Sequence, residues 1–164
     1  MERTDRSLMK MILNLKSALK NGTTGDEIEL LLKKELKIVE KKSSETKMVI
    51  VMRKDLNMTK GKYVAQGSHA SLGIVLDIQK RNNQNHRLIL EKWLNESFVK
   101  VCVSVNSLEE LHDIYKNALS SDQAVKLITD NGLTMFNGIK TDTCLAILGY
   151  RDKVDEITGH LRLL

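Results

Sequence analysis

Hydrophobic and polar positions divide the chain into short apolar runs and longer amphipathic stretches. Four runs rich in β-branched residues predict strands at about residues 48–52, 98–105, 124–129 and 143–148. Apolar residues at helical spacing predict helices at about residues 60–80, 88–95, 108–119 and 153–158. Because strands and helices alternate, the pattern predicts an α/β fold with helices on both faces of a small sheet.

The first predicted strand leads directly into the first long helix. Thr59 ends the polar break between them and is suited to cap the helix, whose first N–H groups, near Gly61 and Lys62, have no intrahelical partner and suit an anion. Lys62, Gln66 and His69 follow at i, i+4 and i+7, which places them on one helical face. The opposite face is expected to enter the core through Val64, Ala65, Leu72, Val75 and Ile78.

A second polar segment leaves the third predicted strand at residues 130–134, with the sequence DNGLT. Functional side chains in α/β sheets lie just beyond strand ends, so Asp130 and Thr134 form a second candidate pair. Asp-Asn-Gly is also simply a favourable turn sequence, and Lys, Gln and His also suit a solvated helix face. The residues alone leave both alternatives open.

Residues 1–46 are predicted to form a separate N-terminal helical hairpin, followed by the main domain at residues 47–164. Apolar residues repeat at helical spacing on both sides of a break at residues 21–25, where Thr24 and Glu27 match a capping box. Two short amphipathic helices cannot bury both apolar faces alone. We therefore expect the hairpin to pack on the main domain, on a second copy or on a protein partner.

Positive charge is concentrated around the first strand and helix of the 164-residue chain, whose net charge is +5. Residues 47–100 hold ten Lys and Arg against four Asp and Glu, whereas residues 101–164 hold six against nine. A basic region of this kind favours a polyanion such as RNA, although basic surfaces also serve solubility.

Several classes of protein do not fit the sequence. The chain has no apolar run near the ~20 residues of a membrane span, and its charged start, MERTDRSLMK, is unlike a secretory signal, so a cytoplasmic location is expected. Cys102 and Cys144 lack companion spacing for zinc and are predicted to be buried reduced thiols. Trp93 is predicted to pack in the core, although a tryptophan can also stack on a base.

Four segments extend in one order over residues 47–164: KMVIVMRKDLNMTKGKYVAQGSHASLG, VKVCVSVNSLEEL, VKLITDNGLTMFNGIKTDTCLAILG and DKVDEITGHLRLL. Together they resemble the archaeal and eukaryotic, or type II, peptidyl-tRNA hydrolases. The resemblance implies a mixed four-stranded sheet flanked by helices, a homodimer, and hydrolysis of the ester between a peptide and the 3′ end of tRNA. It implies no metal or organic cofactor.

The resemblance also carries functional positions onto this sequence. It implies catalytic roles for Lys62, Gln66, Asp130 and Thr134, and supporting substrate-binding roles for Lys60 and His69. Ester hydrolysis needs a positioned water and stabilisation of the oxyanion. We expect Asp130 to orient or deprotonate that water and Lys62 to supply positive charge to the oxyanion or a nearby phosphate. Gln66 and Thr134 are expected to fix the ester end through hydrogen bonds.

The sequence departs from the family pattern at several positions. Gly67 replaces the usual cysteine, which indicates that this thiol is dispensable, and Leu133 replaces the usual arginine of the second motif. Two alternatives remain open, of which the altered second motif favours the first. One is a catalytically weakened tRNA-binding, RNA-binding or adaptor protein on the same fold, and the other is a structural module whose N-terminal hairpin recruits a partner.

Overall fold

The structure is a computed structural model that describes residues 45–164 and, before them, only residues 17, 24, 25, 27–30, 32 and 33. The chain divides into two units, Met1–Ser44 and Glu45–Leu164, and the fold below is that of the second. The predicted N-terminal hairpin lies almost entirely outside the described residues. Within it, the backbone N–H of Thr24 donates to Glu27 Oε2 at 3.0 Å, which is one of the two hydrogen bonds of the predicted capping box.

Residues 45–164 form strands and helices in the order that the sequence predicts, with one further strand after the last helix. In chain order they are β1 (Thr46–Arg53), α1 (Lys60–Lys80), α2 (Gln84–Lys92), β2 (Lys100–Val105), α3 (Leu108–Ser120), β3 (Ala124–Asp130), β4 (Thr141–Tyr150), α4 (Arg151–Thr158) and β5 (Arg162–Leu163). A π-helical turn, Trp93–Ser97, follows α2 directly.

The strands form one mixed sheet in the order β3-β4-β1-β2-β5. The central strand β1 pairs parallel with β2 and antiparallel with β4. The mixed α/β sheet is therefore confirmed, but the prediction of four strands is wrong, because the residues after α4 return to add β5 to the edge of β2. A strand of two residues is too short to show the alternation from which strands are predicted.

Both faces of the sheet are covered by helices, as predicted. Met48, Ile50 and Met52 of β1 pack in a core with residues of α1 and α2, whereas Val49 and Val51 pack on the other side with α3 and α4. A strand buried on both faces has to be apolar at consecutive positions. This requirement explains the unbroken run MVIVM, from which β1 was predicted.

Helix α1 packs on the sheet through the face that carries Gln66. Its buried residues are Gln66, Ala70, Ile74 and Ile78, spaced four apart. The prediction that the opposite face forms the core is wrong for Val64 and Leu72, which are 70% and 60% exposed, and correct for Ile78, which is buried in the core. The helix itself has small residues on every face, so its larger apolar residues do not form one clear stripe in the sequence. Gln66 is the first residue of the buried stripe, so its polar side chain faces the sheet together with the apolar residues of the stripe.

Strands β1, β2 and β3 end at the same edge of the sheet, because β1 is parallel to β2 and both β1 and β3 are antiparallel to β4. We call this the carboxyl edge. The chain leaves β1 there to start α1 at Lys60, and it leaves β3 there at Asp130. The topology thus brings the two sequence-predicted candidate segments to one edge.

The prediction that Trp93 packs in the core is confirmed. The side chain of Trp93 is 1% exposed, and its indole N–H donates to the carbonyl oxygen of Val99 at 2.9 Å. Cys102 and Cys144 are both free thiols, of which Cys144 is buried and Cys102 half-buried. Burial raises the pKa of both thiols, that of Cys144 to about 12. Searching the described residues finds no helix with the length and hydropathy to cross a membrane.

Candidate active site

The start of α1 presents Lys62 to the carboxyl edge of the sheet. Thr59 caps the helix as predicted, since its hydroxyl accepts a hydrogen bond from the backbone N–H of Lys62 at 3.3 Å. This N–H is one of the groups that the sequence offered to an anion, and the cap uses it. The side chain of Lys62, rather than its backbone, therefore faces the loop after β3.

Asp130 is the centre of a polar cluster that joins two distant parts of the chain. Lys62 Nζ donates to Asp130 Oδ2 at 2.7 Å and to Thr134 Oγ1 at 3.1 Å. Gln66 Nε2 donates to the same Asp130 Oδ2, also at 2.7 Å. The structure thus brings all four predicted catalytic residues together, although Asp130 lies 64 residues after Gln66.

The loop after β3 is closed tightly around Gly132. Its backbone N–H donates to Asp130 Oδ1 at 2.8 Å, and its carbonyl oxygen accepts from Phe136 and Gly138. Gly132 has a φ of +79°, and a Cβ atom there would overlap the carbonyl oxygen of Ile139. Only glycine fits this position, so the Asp-Asn-Gly turn also orients the Asp130 carboxylate.

Thr143 completes the cluster and was missed by the sequence reasoning. The pairing of β3 with β4 steps from Ile128↔Cys144 to Thr129↔Asp142, so Thr143 is the extra residue of a β-bulge. Its hydroxyl donates to Gln66 Oε1 at 2.5 Å, and neither side chain is more than 1% exposed. The available signal was a hydroxyl inside an apolar strand, because a buried hydroxyl requires a partner.

The environment keeps Asp130 ionised. The hydrogen bond from Lys62 lowers the pKa of Asp130, against the opposing effect of burial, and hydrogen bonds from Gly132 and Gln66 act in the same direction as Lys62. An ionised carboxylate offers about four lone-pair positions, all acceptors. Three are used by Lys62, Gln66 and Gly132, which leaves one for a further donor such as water.

Lys60 and His69 do not join the cluster. Both side chains are exposed, and neither is hydrogen-bonded to Asp130 or Thr134. The buried stripe of α1 runs from Gln66 to Ala70 in steps of four, which leaves His69 beside the stripe on the solvent side. Any contact of Lys60 or His69 with a ligand therefore lies outside the hydrogen-bonded cluster.

The other contents of the site are apolar or cationic. Lys62 Nζ lies 5.4 Å from the centre of the Phe136 ring, within the range of a cation–π contact. Leu133, at the position where the resemblance leads one to expect arginine, is 86% exposed. In the part of the chain that the structure describes, no three His, Cys, Asp or Glu side chains are grouped to hold a metal ion.

Fold and site together define a class of protein, a mixed-sheet α/β protein with an ammonium, a carboxylate and hydroxyl groups gathered at its carboxyl edge. A family model described as peptidyl-tRNA hydrolase PTH2 matches residues 46–164. The chain belongs to this family and is a hydrolase, as the sequence motifs predicted.

Similar proteins named peptidyl-tRNA hydrolase occur in several archaea. The protein of Methanocaldococcus jannaschii is 45% identical over 119 residues, covering 72% of this chain and 99% of the relative. The protein of Sulfurisphaera tokodaii is 43% identical over 120 residues, covering 73% and 98%. The protein of Sulfolobus acidocaldarius is 40% identical over 120 residues, covering 72% and 99%.

Proposed function

We propose that Lys62, Asp130 and Thr134, positioned by Gln66, perform the hydrolysis of peptidyl-tRNA that family membership assigns to this protein. The products are a free peptide and a tRNA that can be charged again. The observation that supports this assignment is the convergence of Lys62 and Gln66 on a single oxygen of Asp130. It gathers a positive charge, a negative charge and a hydroxyl within hydrogen-bonding distance of one another.

The hydrogen bonds leave one acceptor and one donor for the reaction. Asp130 keeps one lone pair, and Lys62, with three N–H groups, uses one on Asp130 and one on Thr134. The lone pair orients a water, whose oxygen attacks the ester carbonyl carbon. The remaining N–H stabilises the negative charge that develops on the carbonyl oxygen. The attacking water gives up one proton as the ester C–O bond breaks, and the 3′ oxygen of the tRNA takes up a proton in its place, so that one water is consumed for each ester cleaved.

Asp130 orients the water more than it deprotonates it. A carboxylate is a weak base even at its ordinary pKa of ~3.9, and in this site its pKa is lower still. Gln66 is 1% exposed and holds Asp130 rather than the substrate. The hydroxyl of Thr134 accepts from Lys62, so its own proton remains available to the ester end.

Cleavage of purified peptidyl-tRNA by Lys62→Ala and Asp130→Asn tests this assignment. We expect kcat to fall by about 10²–10⁴-fold in each variant, the usual contribution of a positioned acid–base or charged group. Lys80→Gln is the matched control, because Lys80 is an exposed lysine at the far end of α1. Wild-type rates in both site variants, with Lys80→Gln also unchanged, would reject the roles given to Lys62 and Asp130.

The exposed Leu133 supports a second candidate, a tRNA-binding or adaptor protein with weakened activity. Arginine at this position would add a positive charge beside the Asp130 loop, whereas leucine adds none. Wild-type protein that binds tRNA without cleaving peptidyl-tRNA would favour this candidate. Leu133→Arg separates the two readings, because restored cleavage in the variant would show that the remaining site is competent.

We also propose that two copies associate through an apolar groove between α1, the π-helical turn and β2. The groove has a volume of about 710 Å³, and its rim includes Val64, Leu72 and Phe98, which are 56–70% exposed. The family resemblance supports a second copy as the occupant. Light scattering should give the mass of a dimer for wild type and of a monomer for Leu72→Glu. A monomeric wild type at micromolar concentration would contradict the proposal.

In this proposal, residues 1–46 form a separate element that binds a protein partner, and residues 47–164 form the catalytic domain. The protein acts in the cytoplasm. The family match from residue 46 onward supports the division. A truncated protein should start at Glu45, since the carbonyl oxygen of Glu45 accepts from the backbone N–H of Arg151. We expect residues 45–164 to cleave peptidyl-tRNA at the rate of the full chain. A loss of activity on truncation, without unfolding, would assign the N-terminal residues to catalysis.

A further inference from the structure

A polar cavity lies at the carboxyl edge of the sheet, on the far side of β1 from Asp130. It has a volume of about 330 Å³ and is lined by residues at the ends of β1 and β2, by the first turn of α3 and by the chain after α4. Three of its side chains are basic, namely Lys54, His160 and Arg162, and one is acidic, Glu110. We call it the distal pocket.

The acidic side chain of the distal pocket is already engaged. Glu110 Oε2 accepts from the backbone N–H of Asn106 at 2.8 Å, while the N–H of Glu110 donates to Ser107 Oγ at the start of α3. Among the described residues, none of Lys54, His160 and Arg162 forms an ion pair. The pocket therefore has an excess of donors and of positive charge.

Backbone hydrogen bonds hold these basic residues in place. The N–H of Lys54 donates to the carbonyl oxygen of Val105 at 2.8 Å, which ties the end of β1 to the end of β2. Arg162 lies in β5, opposite Ser104 of β2. The backbone turn between α4 and β5, which contains His160, is closed by the N–H of Leu161. Two separate segments, the end of β1 and the chain after α4, thus present basic side chains to one cavity from backbone positions that hydrogen bonds hold.

We propose that the distal pocket binds a backbone phosphate of the tRNA, in the acceptor region next to the 3′ end. The identity of the ligand depends on the proposed function, whereas the preference for an anion follows from the charges of the pocket. An ammonium, a guanidinium and an imidazole offer the donors that phosphate oxygens accept, whereas the hydroxyl of Ser104 donates to the carbonyl oxygen of Arg162. This assigns a role to the TGHLR segment, which the catalytic cluster does not use.

The distance between the two sites suits this ligand. The pocket extends from Lys54 at the end of β1 to Arg162 in β5, which are two and four strand spacings from β3 in the order of the sheet. At about 4.8 Å each, these spacings place it roughly 10–19 Å from β3, which ends at Asp130. Stacked nucleotides rise about 3 Å each along a strand, so this distance corresponds to roughly three to six nucleotides. An ester held at Asp130 thus places the distal pocket beside the phosphates of the 3′ end and of the adjoining end of the acceptor helix.

Salt-dependent binding of uncharged tRNA to the full chain tests the proposal without requiring catalysis. Lys54→Gln and Arg162→Gln are compared with Lys80→Gln, which removes an exposed lysine near the opposite edge. Loss of one phosphate contact should reduce the magnitude of the slope of log affinity against log salt by about 0.7–0.9, so the affinity of the variant relative to wild type should be about five- to eightfold lower at 0.1 M than at 1 M salt. The control should keep the wild-type slope.

Steady-state cleavage supplies the second readout. With peptidyl-tRNA, both pocket variants should raise KM and keep kcat, whereas a peptidyl-adenosine, which has no backbone phosphate, should be cleaved at the wild-type kcat/KM. Wild-type salt slopes in Lys54→Gln and Arg162→Gln would overturn the proposal. So would equal competition for the pocket by an acidic peptide and by tRNA. If wild type cleaves neither substrate, the proposed function fails, and the binding slopes still decide whether the pocket holds RNA.

Discussion

Thr143→Val isolates the one buried hydroxyl that the catalytic cluster depends on. Valine keeps the shape of threonine but cannot donate to Gln66 Oε1, which lies in a fully buried position. A buried acceptor left without its partner costs about 1–3 kcal/mol of folding free energy. For a chain of this size each kcal/mol lowers Tm by roughly 3 °C, so we expect a decrease of about 3–9 °C.

The same substitution should slow catalysis. The Thr143 hydroxyl determines which end of the Gln66 amide faces Asp130, because it binds the oxygen and leaves the nitrogen to donate to the carboxylate. Without it, the amide can turn its oxygen towards Asp130, and the carboxylate loses a hydrogen bond worth about 1.5–3 kcal/mol. A loss of about 1.4 kcal/mol from transition-state stabilisation corresponds to a tenfold lower kcat. We therefore expect kcat to fall at least tenfold with KM unchanged.

Thermal unfolding and peptidyl-tRNA cleavage measure the two effects, with Thr143→Ser as the control that keeps the hydroxyl. A double-mutant cycle with Gln66→Leu separates this contact from other effects of the bulge, since Thr143→Val should add little once the amide is gone. A Thr143→Val protein with wild-type Tm and kcat would refute the account of the cluster. Equal losses in Thr143→Val and Thr143→Ser would show that packing, not the hydroxyl, matters.

Three further predictions concern other parts of the molecule. The pKa of Asp130 is lowered mainly by Lys62, so ionised Asp130 stabilises the fold above the ordinary pKa of aspartate, and this stabilisation is lost as pH falls through the lowered value. Lys62→Met should raise the pKa of Asp130, and NMR titration of the carboxyl carbon would measure the change. Burial raises the pKa of Cys144 to about 12, so native protein at pH 8 should resist alkylation at Cys144 more than at the half-buried Cys102, as mass spectrometry of the modified peptides would test. Gly61→Ala, in the first turn of α1 where a Cβ meets no atom within 4 Å, should stabilise the fold by about 0.5–1 kcal/mol, and an unchanged or lower midpoint in urea would contradict this.

The sequence predicted the parts of the fold that depend on one strong local pattern. The unbroken apolar run of β1 and the Thr59 cap of α1 are such patterns, and both are present. The buried face of α1 was not predictable in the same way. Its buried stripe begins with a polar residue, Gln66, and small residues occur on every face of the helix. Gln66 is buried because Asp130 and Thr143, both far along the chain, satisfy its amide.

Local patterns alone predicted the site as two segments, and only the resemblance to the family joined them into one catalytic set. Local turn chemistry indicated the Asp130 loop, and helical spacing indicated Lys62 and Gln66. The meeting of the segments depends on the strand order of the sheet, and the contribution of Thr143 depends on a bulge between β3 and β4. Neither leaves a periodic signal in the sequence, since both arise from pairing between residues that are distant along the chain.

Helix α1 connects the hydrophobic core to the reaction centre, since Ile78 packs in the core near the last turn of the helix and Lys62 lies in the first turn. Sixteen residues separate Ile78 from Lys62, a distance of about 24 Å along the helix axis. Repacking of the core around Ile78 that shifts this end of the helix should therefore also shift Lys62 relative to Asp130. Attempts to make the protein more heat-resistant by refilling its interior near Ile78 should therefore be screened for turnover as well as for melting.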